Sequence, residues 1–395
     1  MDKPLYPCSS IGTLDVLAKT LGVHPRKLKN IADKVNSSYS AIQLPAHPTT
    51  GKIREVFEPK HELKKIQKRI NSRIFEHIKF PVYLQGGIKA TPINKRDYIA
   101  NAAMHGRSKT LINLDVRNFY PNIKTNVVTD IFKYFFKFSD EVVEILTALT
   151  TYNGSLPQGG CTSSYLANLV FYNDEYRLVS SFRGRGLRYT RLLDDITISS
   201  TNSIDSKLSV QLVKDVASLL RKRGLNLKSA KTKITDRSEM HKDFEVTGLC
   251  VRDVLPNVRK KDRLYVRQLV FNCEKKAIEN RTSDEFHTLW NRTSGLVARL
   301  HRLKNSQAED YRKRLSVILP LYDQYQEAKL VKRVSSALKV PISSHSQWGI
   351  IKKYNNLVYH LGILARTKSA LASRLKLSLK VHYSSVPLID TFWEQ

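Results

Sequence analysis

The stretch Tyr189-Thr190-Arg191-Leu192-Leu193-Asp194-Asp195-Ile196-Thr197-Ile198-Ser199 places two adjacent carboxylates between two runs that have the composition of β-strands. In the second run, isoleucines alternate with hydroxyl-bearing residues, as in a strand whose side chains point to opposite faces. The pattern predicts a β-hairpin with Asp194 and Asp195 at its tip. Like charges at such a tip repel each other, and a divalent metal ion, Mg²⁺ above all, is the usual compensation. A solvated turn is the alternative for the pair on its own.

The charge of the chain indicates a polyanionic partner. The 395 residues include 66 Lys and Arg against 35 Asp and Glu, a formal net charge of +31 at pH 7. Because a charge of this size destabilises a compact fold through self-repulsion, nucleic acid is the first candidate partner and an anionic membrane surface the second; a charge that serves only solubility is the third alternative. An apolar content of 41% is typical of a globular protein, and the length allows two or three domains.

The cysteines and the N-terminus bear on the cellular compartment. Cys8, Cys161, Cys250 and Cys273 are far apart and form no CxxC pair, which excludes a zinc ribbon and favours a reducing compartment. The N-terminus lacks the apolar core of a signal peptide, and no run approaches the roughly 18 apolar residues of a membrane span. A cytoplasmic protein without a membrane partner is therefore expected.

A further acidic position lies at the end of another predicted strand. Residues 110–123 read as a strand that ends at Asp115, followed by an aromatic turn. A crossover through the intervening helices would bring this strand beside the hairpin, so that three carboxylates share one site. Such a site suits two Mg²⁺ ions about 3.5–4 Å apart, the arrangement of two-metal phosphoryl transfer.

A triphosphate substrate also requires cations and a close approach of the backbone. Lys52 and Arg54, in a predicted strand, are candidate phosphate clamps. Gln158 and Gly159 lie in a Pro-Gln-Gly-Gly turn before a predicted helix. They supply a polar side chain and a backbone that can approach a nucleotide or template closely.

The ordered set of segments resembles the reverse transcriptases, and specifically the bacterial retron-type enzymes, over about residues 12–310. The matching segments are residues 52–67, 114–121, 156–164 and 189–195, together with two retron hallmarks, the NAxxH pattern at 101–105 and the VTG segment at 246–248. The ordered set is highly specific, whereas no single member is. The resemblance implies an α+β right-hand polymerase with fingers, a palm that contains an antiparallel sheet, and a mostly helical thumb.

The resemblance also implies the catalytic residues. Asp115, Asp194 and Asp195 would bind two Mg²⁺ ions, assisted by the carbonyl of Val116. Lys231 is the general-acid candidate for the pyrophosphate leaving group.

Contacts with substrate and nucleic acid are implied in the same way. Tyr120 matches the aromatic residue that blocks a ribose 2′-hydroxyl and so selects dNTPs. Gln158 with Gly159 would contact the incoming nucleotide, next to Leu193. The residues implied to bind nucleic acid are those of the two hallmarks: Asn101, His105, Val246, Thr247 and Gly248.

The sequence departs from the family pattern at Leu192 and Leu193, where the family usually has Tyr-Ala before the two acids. The carboxylates are present, so metal binding should be retained. The tyrosine ring near the primer end is lost, and Leu193 is larger than alanine beside the nucleotide. We expect the change to affect rate, processivity or nucleotide choice more than the reaction itself.

Five regions are predicted. They are an N-terminal helical region (1–48), fingers (49–110), a palm with interleaved fingers elements (111–255), a thumb (256–320) and a C-terminal extension (321–395) that is a candidate RNA-binding region. Within the extension, residues 374–383 fit either a strand or a helix. The phosphate candidates of the thumb, for which a solvated helix face is the alternative, are Arg299, His301, Arg302 and Lys304.

The predicted function is that of a retron-type RNA-directed DNA polymerase in anti-phage defence, which copies part of a dedicated structured non-coding RNA. The predicted partners are this RNA as template and primer, the RNA–DNA product, dNTPs, and a toxin or effector protein. In retrons, priming from an internal 2′-hydroxyl gives branched RNA–DNA. Two alternatives are open at this point: a defence reverse transcriptase outside the retrons, with different priming, and a catalytically weak RNA-binding scaffold.

Overall fold

The computed structural model describes residues 2–46, 51, 53–387 and 389–393. The chain forms two compact units, Met1–Pro256 and Asn257–Gln395. The division lies next to the change in sequence character near residue 255, where Asp-containing strands give way to basic helical segments. Each unit is described by itself.

The first unit combines strands and helices. Its strands are β1 (Tyr39–Leu44), β2 (Arg54–Pro59), β3 (Leu84–Gln85), β4 (Thr110–Asp115), β5 (Leu187–Leu192), β6 (Asp195–Ser200), β7 (Lys233–Asp236), β8 (Glu245–Val246) and β9 (Leu249–Cys250). Its helices are α1 (Leu14–Leu21), α2 (Pro25–Asp33), α3 (His61–Arg73), α4 (Tyr98–Ala103), α5 (Phe119–Asn122), α6 (Thr125–Asp130), α7 (Asp140–Thr150), α8 (Ser163–Leu169), α9 (Glu175–Gly184) and α10 (Ser206–Arg221). Short 3₁₀ turns lie at Val35–Ser38, Phe75–His77 and Ser229–Lys231, and a π-helical turn at Ile131–Phe135.

Local sequence signals explain several helix boundaries. The Thr13 side chain accepts a hydrogen bond from the Val16 amide at the start of α1, and α1 ends at Gly22 in the left-handed conformation (φ 60°). At the start of α10, the Asp205 carboxylate accepts from the Leu208 amide at 2.6 Å. The apolar side chains of α3 recur at helical spacing, and the face that they form is buried in the core of this unit.

The central sheet has the strand order β3-β5-β6-β4-β7. β4 pairs antiparallel with β6, with Asp115 opposite Asp195, so the predicted adjacency of the two acidic strands is confirmed. β5 pairs antiparallel with β6, with Leu192 opposite Asp195. The predicted hairpin is therefore also confirmed, with Leu193 and Asp194 as its two-residue turn.

Both faces of β6 are buried, from Ile196 to Ser200. The polar face is accommodated by hydrogen bonds: the Thr197 hydroxyl donates to Asn113 Oδ1 at 3.2 Å, and the Ser199 hydroxyl contacts a ring nitrogen of His105 at 2.8 Å. Buried polar groups with partners of this kind keep the strand in one register.

The N-terminal region contains more than the predicted helices. β1 lies within residues 1–48 and pairs antiparallel with β2, from Tyr39 opposite Pro59 to Leu44 opposite Arg54. This strand was absent from the sequence prediction. Its inward residue, Tyr39, is the only buried one in a strand that is otherwise exposed, so the strand has no apolar alternation by which to recognise it.

The second unit is helical in its described residues. Its helices are α11 (Lys260–Glu279), α12 (Asp284–Arg302), α13 (Ala308–Val317), α14 (Gln324–Ala337), α15 (Trp348–Leu364), α16 (Ser369–His382) and α17 (Ile389–Phe392), with a 3₁₀ turn at Ile342–Ser344. Residues 374–382 belong to α16, so the strand alternative for this segment is wrong. Burial explains the outcome, because Ala372 and Leu379 lie seven residues apart and share one buried helix face. No helix in the described parts of the chain combines the length and apolarity needed to cross a membrane.

Candidate active site

The three aspartates meet at one end of the central sheet. Asp115 is the last residue of β4, Asp194 lies in the β5–β6 turn and Asp195 begins β6. Two backbone hydrogen bonds hold this end together: the Val116 amide donates to the Asp194 carbonyl at 3.0 Å, and the Lys228 amide donates to the Asp115 carbonyl at 2.8 Å. The backbone therefore ties three chain segments together directly beneath the acids.

The turn that presents Asp194 is conformationally unfavourable. Leu193 has φ 58°, in the left-handed region that a bulky side chain rarely adopts. Its side chain is half-buried and packs against the core. Such backbone strain persists only where the surrounding structure enforces it, and it is common at functional sites.

Burial and neighbouring negative charges raise the pKa values of two carboxylates at this end of the sheet. Burial raises the pKa of Asp194, and the charge of Asp115 adds to the shift, while Lys231 and Arg54 oppose it. Burial, followed by the charges of Asp194 and Asp115, raises the pKa of Asp195 from 3.8 to about 6. Asp195 nevertheless retains an exposed surface. Crowded carboxylates with raised pKa values beside solvent favour the binding of a cation.

Lys231 supplies the one positive side chain in direct contact with these acids among the described residues. Its Nζ atom lies 2.5 Å from Asp115 Oδ2. No group of three or more His, Cys, Asp or Glu side chains in the described segments is arranged to hold a metal ion as it stands. The donor set nevertheless fits a hard divalent cation, since it consists of carboxylate oxygens whose mutual repulsion Lys231 relieves only in part. Displacement of Lys231 from Asp115 would free one more oxygen.

Tyr120 borders the acids on one side. It lies on α5, and its hydroxyl is 3.3 Å from the hydroxyl of Ser164 on α8. Burial raises the pKa of Tyr120, and the charge of Asp194 raises it further, so the ring lies within electrostatic reach of the turn. A β-carbon added at Gly87 would lie 2.4 Å from Ser164 Cβ and 3.4 Å from Leu193 Cδ2. Gly87, Ser164 and Leu193 thus form a close-packed wall next to Tyr120.

The Gln158 loop lies against β2. The Phe57 amide donates to the Gln158 carbonyl at 2.7 Å. Gly159 has φ 113°, and a β-carbon there would lie 2.8 Å from the Phe57 carbonyl oxygen, so only glycine fits. Arg54, at the start of β2, is exposed and near enough to lower the pKa of Asp194. The predicted clamp Lys52 lies outside the described residues.

The NAxxH residues Asn101 and His105 are buried in the fold, at 1% and 0% exposure. The two ring nitrogens of His105 contact the hydroxyls of Ser199 and Thr190, each at 2.8 Å. Burial and the charge of Arg188 lower the pKa of His105 to about 3, so the ring is neutral. The predicted direct contact with nucleic acid is corrected for both residues: His105 bridges β5 and β6, and Asn101 is buried on α4, which packs against β5.

The VTG segment forms a tight hairpin between β8 and β9. Thr247 and Gly248 are its two turn residues, with φ 48° and 77°, as a two-residue turn with two left-handed positions requires. The Thr247 hydroxyl donates to the Tyr98 carbonyl at the start of α4, and α4 packs against both strands. Val246 is buried, so direct contact with nucleic acid is wrong for it as well. Gly248 remains exposed and Thr247 half-buried.

A buried ion pair behind the turn that carries Asp194 was missed in the sequence. Arg191 is fully buried, and its guanidinium contacts both carboxylate oxygens of Glu175, at 2.6 and 2.8 Å. The Tyr189 hydroxyl donates to the same carboxylate at 2.8 Å. Arg191 also donates to the carbonyls of Ala167, Asn168 and Leu193.

Arg191 therefore joins the turn that carries Asp194 to the C-terminal end of α8 and the first residue of α9. The sequence signal was weak, because Glu175 precedes Arg191 by 16 residues and no local helix or strand periodicity pairs positions so far apart. The one clue was a charged residue inside an otherwise strand-like run.

The predicted phosphate candidates of the thumb lie at the C-terminal end of α12 in the second unit. Basic side chains at this helix end also interact favourably with the helix dipole. His301, Arg302 and Lys304 are exposed, and Arg299 is half-buried. Their contact with nucleic acid stays a prediction.

Comparison with known proteins gives one consistent result. The family model described as "Reverse transcriptase (RNA-dependent DNA polymerase)" matches residues 43–251, more than half of the chain. The chain is 40% identical over 375 residues to the retron Se72 reverse transcriptase of Salmonella heidelberg (strain 579083-10), covering 94% of this chain and 96% of that protein. It is 31% identical over 371 residues to the retron Ec48 reverse transcriptase of Escherichia coli, covering 91% and 89%.

Among solved structures, a telomerase from Candida albicans in complex with a TWJ fragment of telomeric RNA aligns with a TM-score of 0.40 and 9% identity, over 89% of this chain and 68% of that one. The family model and the two retron relatives cover the segments that carry the aspartates, Tyr120 and the Gln158 loop. The chain therefore belongs to the reverse transcriptases and, among them, to the retron enzymes, which are RNA-directed DNA polymerases with a right-hand fold.

Proposed function

We propose that the polymerase joins nucleotides at the Asp115–Asp194–Asp195 end of the sheet by two-metal nucleotidyl transfer. The observation that carries this proposal is the convergence of three carboxylates on adjacent strands, two of them with raised pKa values. A divalent metal requirement is general for the family, and oxygen ligands of this kind favour Mg²⁺. When bound, two such ions would activate the 3′-hydroxyl and offset the charge that develops on the phosphates.

The residues of the site have separate roles in this proposal. The three aspartates and the Val116 carbonyl would hold the ions. The hydrogen bonds beneath the acids keep these oxygens in a fixed arrangement, so little reorganisation is needed on binding. Lys231, released from Asp115, would donate a proton to the departing pyrophosphate.

Nucleotide selection follows from the wall beside the acids. The Tyr120 ring, fixed by Ser164, would occupy the space of a ribose 2′-hydroxyl and so favour dNTPs. The backbone of Gln158 and Gly159, held against β2, would position the nucleotide or the template. Arg54 would act as a phosphate clamp, because its charge already reaches Asp194.

We further propose the assignment of regions as fingers (49–110), palm (111–255) and thumb (256–320). β1 pairs with β2 and would join the fingers, which extends that region toward the N-terminus. The template is RNA, as the family requires. A dedicated structured non-coding RNA, branched RNA–DNA, a role in anti-phage defence and a toxin or effector partner are proposed from the likeness to retron enzymes alone.

Primer extension tests the chemistry. The purified chain, an RNA template with an annealed DNA primer, dNTPs and Mg²⁺ should yield DNA, and chelation of the metal should stop synthesis. Asp115→Asn is the test variant and should lose synthesis, because it removes one charge from the site with little change of shape. Synthesis that continues in Asp115→Asn at the wild-type rate would show that the reaction takes place elsewhere.

Co-purification tests the retron part. Nucleic acid that accompanies the protein from its host should contain one RNA species joined to a short DNA. Long or repetitive DNA without linked RNA would contradict the proposed template and priming. Infection of cells with and without the gene, by a panel of phages, tests the defence role.

A further inference from the structure

A cavity of about 480 Å³ lies in the second unit, between α14 and α15. One wall is formed along α14 from Tyr325 to Ser336, and the facing wall includes Lys353 of α15. Its cationic lining residues are Lys329, Lys332, Arg333 and Lys353. This concentration of positive charge is distinct from the catalytic end of the sheet, which belongs to the first unit.

The helix periodicity explains why these side chains share one face. Leu330 and Val334 direct the opposite face of α14 into the core that it forms with α15 and α16. The outward positions recur at three- and four-residue intervals from Tyr325 to Ser336. At 1.5 Å per residue, this face is about 16 Å long, enough for two or three nucleotides of an extended strand.

The lysines of the cavity are not neutralised by the acids of α14. Glu327 is paired with Lys368 at 2.7 Å, and Asp323 caps the helix by accepting from the Gln326 amide at 2.7 Å. In the parts of the chain that the structure describes, no ion pair engages Lys329, Lys332 or Lys353. An unneutralised group of cations around a cavity attracts an anionic ligand.

Arg333 is held in place on the same face. Its Nη2 donates to Asn356 Oδ1 of α15 at 2.6 Å. The pKa of His360 is lowered by burial first and then by the charges of Arg333 and His287, so the positive potential extends into the helix interface. A guanidinium oriented in this way is suited to a phosphate group.

An aromatic ring stands at one end of the row of cations. Tyr325 is 73% exposed, and Lys329 Nζ lies 5.9 Å from the centroid of its ring. Proteins bind single-stranded nucleic acid with two elements: a row of cations that contacts the phosphate backbone, and exposed aromatic rings on which bases stack. Because any base can stack on such a ring, this mode of binding tolerates different sequences. An acidic peptide could pair with the cations, but its carboxylates would not stack on the Tyr325 ring.

We propose that the α14–α15 cavity binds a single-stranded segment of nucleic acid, with its phosphates on Lys329, Lys332, Arg333 and Lys353 and a base stacked on Tyr325. The enzyme handles two such strands, its RNA template and its DNA product, and both offer the same phosphate chemistry. The proposal goes beyond DNA synthesis and is tested by binding alone, so that its failure leaves the proposed chemistry of the aspartates untouched.

Fluorescence anisotropy of the full chain with labelled oligouridylate and oligothymidylate tests the proposal. The variant Lys329→Gln, Lys332→Gln, Lys353→Gln should bind at least one of the two oligonucleotides on the order of 10- to 100-fold more weakly at about 0.1 M salt. The slope of log affinity against log salt should fall by roughly 2, as the loss of three phosphate contacts predicts. The oligonucleotide with the larger loss identifies the strand that the cavity takes.

A matched variant controls for net charge. Lys339→Gln, Lys376→Gln, Lys380→Gln removes the same charge from exposed positions of the same unit that do not line the cavity. It should bind within about twofold of the wild type, and equal losses in the two triple variants would overturn the proposal. Thermal unfolding by circular dichroism verifies that both variants are folded.

Two further measurements keep the proposal falsifiable if the triple variant does not fold. Tyr325→Ala should weaken binding roughly tenfold, as loss of one stacked base predicts, whereas Tyr325→Phe should bind as the wild type does. Photocrosslinking with 4-thiouridine or 4-thiothymidine should label peptides of α14 or α15. Crosslinks confined to the first unit, or polyglutamate that binds in place of both oligonucleotides, would show that the cavity does not take nucleic acid.

Discussion

Two groups of charged side chains lie on or beside the β5–β6 hairpin, and they are built in opposite ways. At the tip, Asp195 is exposed, Asp194 is half-buried and Asp115 is buried in contact with Lys231, and the pKa values of Asp194 and Asp195 are raised. Behind the tip, Arg191 and Glu175 are fully buried, and each is saturated with hydrogen bonds.

The difference distinguishes charges that can bind a ligand from charges that only stabilise the fold. Repulsion that the protein compensates only in part can be relieved by a ligand, and the ligand proposed for the tip is a metal ion with its nucleotide. A charge pair that is already compensated has no need of a ligand and serves to hold the turn. The hairpin thus lies beside two groups of charges, one proposed to bind metal and one that holds the turn, and the following predictions depend on this contrast.

The largest effect is expected at the tip. Replacement of both acids in Asp194→Asn, Asp195→Asn should lower DNA synthesis at least roughly 1000-fold, because the oxygens proposed to bind the metals lose their charge. RNA binding, measured by filter retention, should remain near the wild-type value. A double variant that still extends a primer with dNTPs would contradict the assignment of the site.

The second effect is one of stability. Arg191→Leu alone leaves the buried Glu175 carboxylate without its partner and should lower the free energy of unfolding by about 3–5 kcal/mol. Arg191→Leu combined with Glu175→Leu should lose less, because no buried charge remains. Urea denaturation measures both variants. Equal losses in the single and the double variant would show that the pair is not the source of the stabilisation.

Nucleotide choice should change at Tyr120. Tyr120→Ala removes the ring beside Ser164 and should raise the ratio of rNTP to dNTP incorporation at least roughly tenfold in kcat/KM, about 1.4 kcal/mol of discrimination. Tyr120→Phe keeps the ring and loses only the hydroxyl contact with Ser164, so its ratio should stay near the wild-type value. If both variants behave alike, the hydroxyl and not the ring selects the sugar.

The smallest effect is a dependence of stability on pH. The pKa of Asp195 is about 6 in the fold against 3.8 ordinarily, so the folded chain binds more protons than the unfolded chain between these values. Stability is therefore lost as the pH rises from about 4 to 6. Because Asp195 is exposed, screening reduces the effect, and Asp195→Asn should gain only about 1 kcal/mol at pH 8 without metal.

Thermal unfolding with and without Mg²⁺ measures this gain. At about pH 2.5, below both pKa values, Asp195 is protonated in the folded and the unfolded state, so Asp195→Asn should unfold at the same temperature as the wild type. At pH 8, Mg²⁺ should stabilise the wild type more than the variant, because it offsets the same repulsion. A variant that is less stable than the wild type at pH 8 would show that Asp195 stabilises the fold by its charge.

The sequence by itself determined the order of the chemical groups and the fold family. The acids at strand ends, the alternation of β6, the Pro-Gln-Gly-Gly turn and the apolar face of α3 are local patterns, and local patterns follow from strand and helix geometry. They were enough to predict that β4 and β6 lie side by side and that three aspartates meet.

Only the tertiary structure decided which polar residues are buried. Asn101 and His105 look like surface contacts in a motif, yet the fold encloses them beside β5 and β6. β1 became visible only through its pairing with β2, and residues 374–382 became helical because one face is buried against α14 and α15. The Arg191–Glu175 pair arises from residues that are adjacent in space alone.

The physical reason is the range of the forces. Backbone propensity and side-chain periodicity act within a few residues and can be read along the chain. Burial, desolvation and ion pairing depend on which distant segments pack together, so their effects appear only in the folded molecule. For this chain, the aspartates could be found from the sequence, whereas the raised pKa values of Asp194 and Asp195, the contact of Lys231 with Asp115 and the buried hydrogen bonds of Arg191 could not.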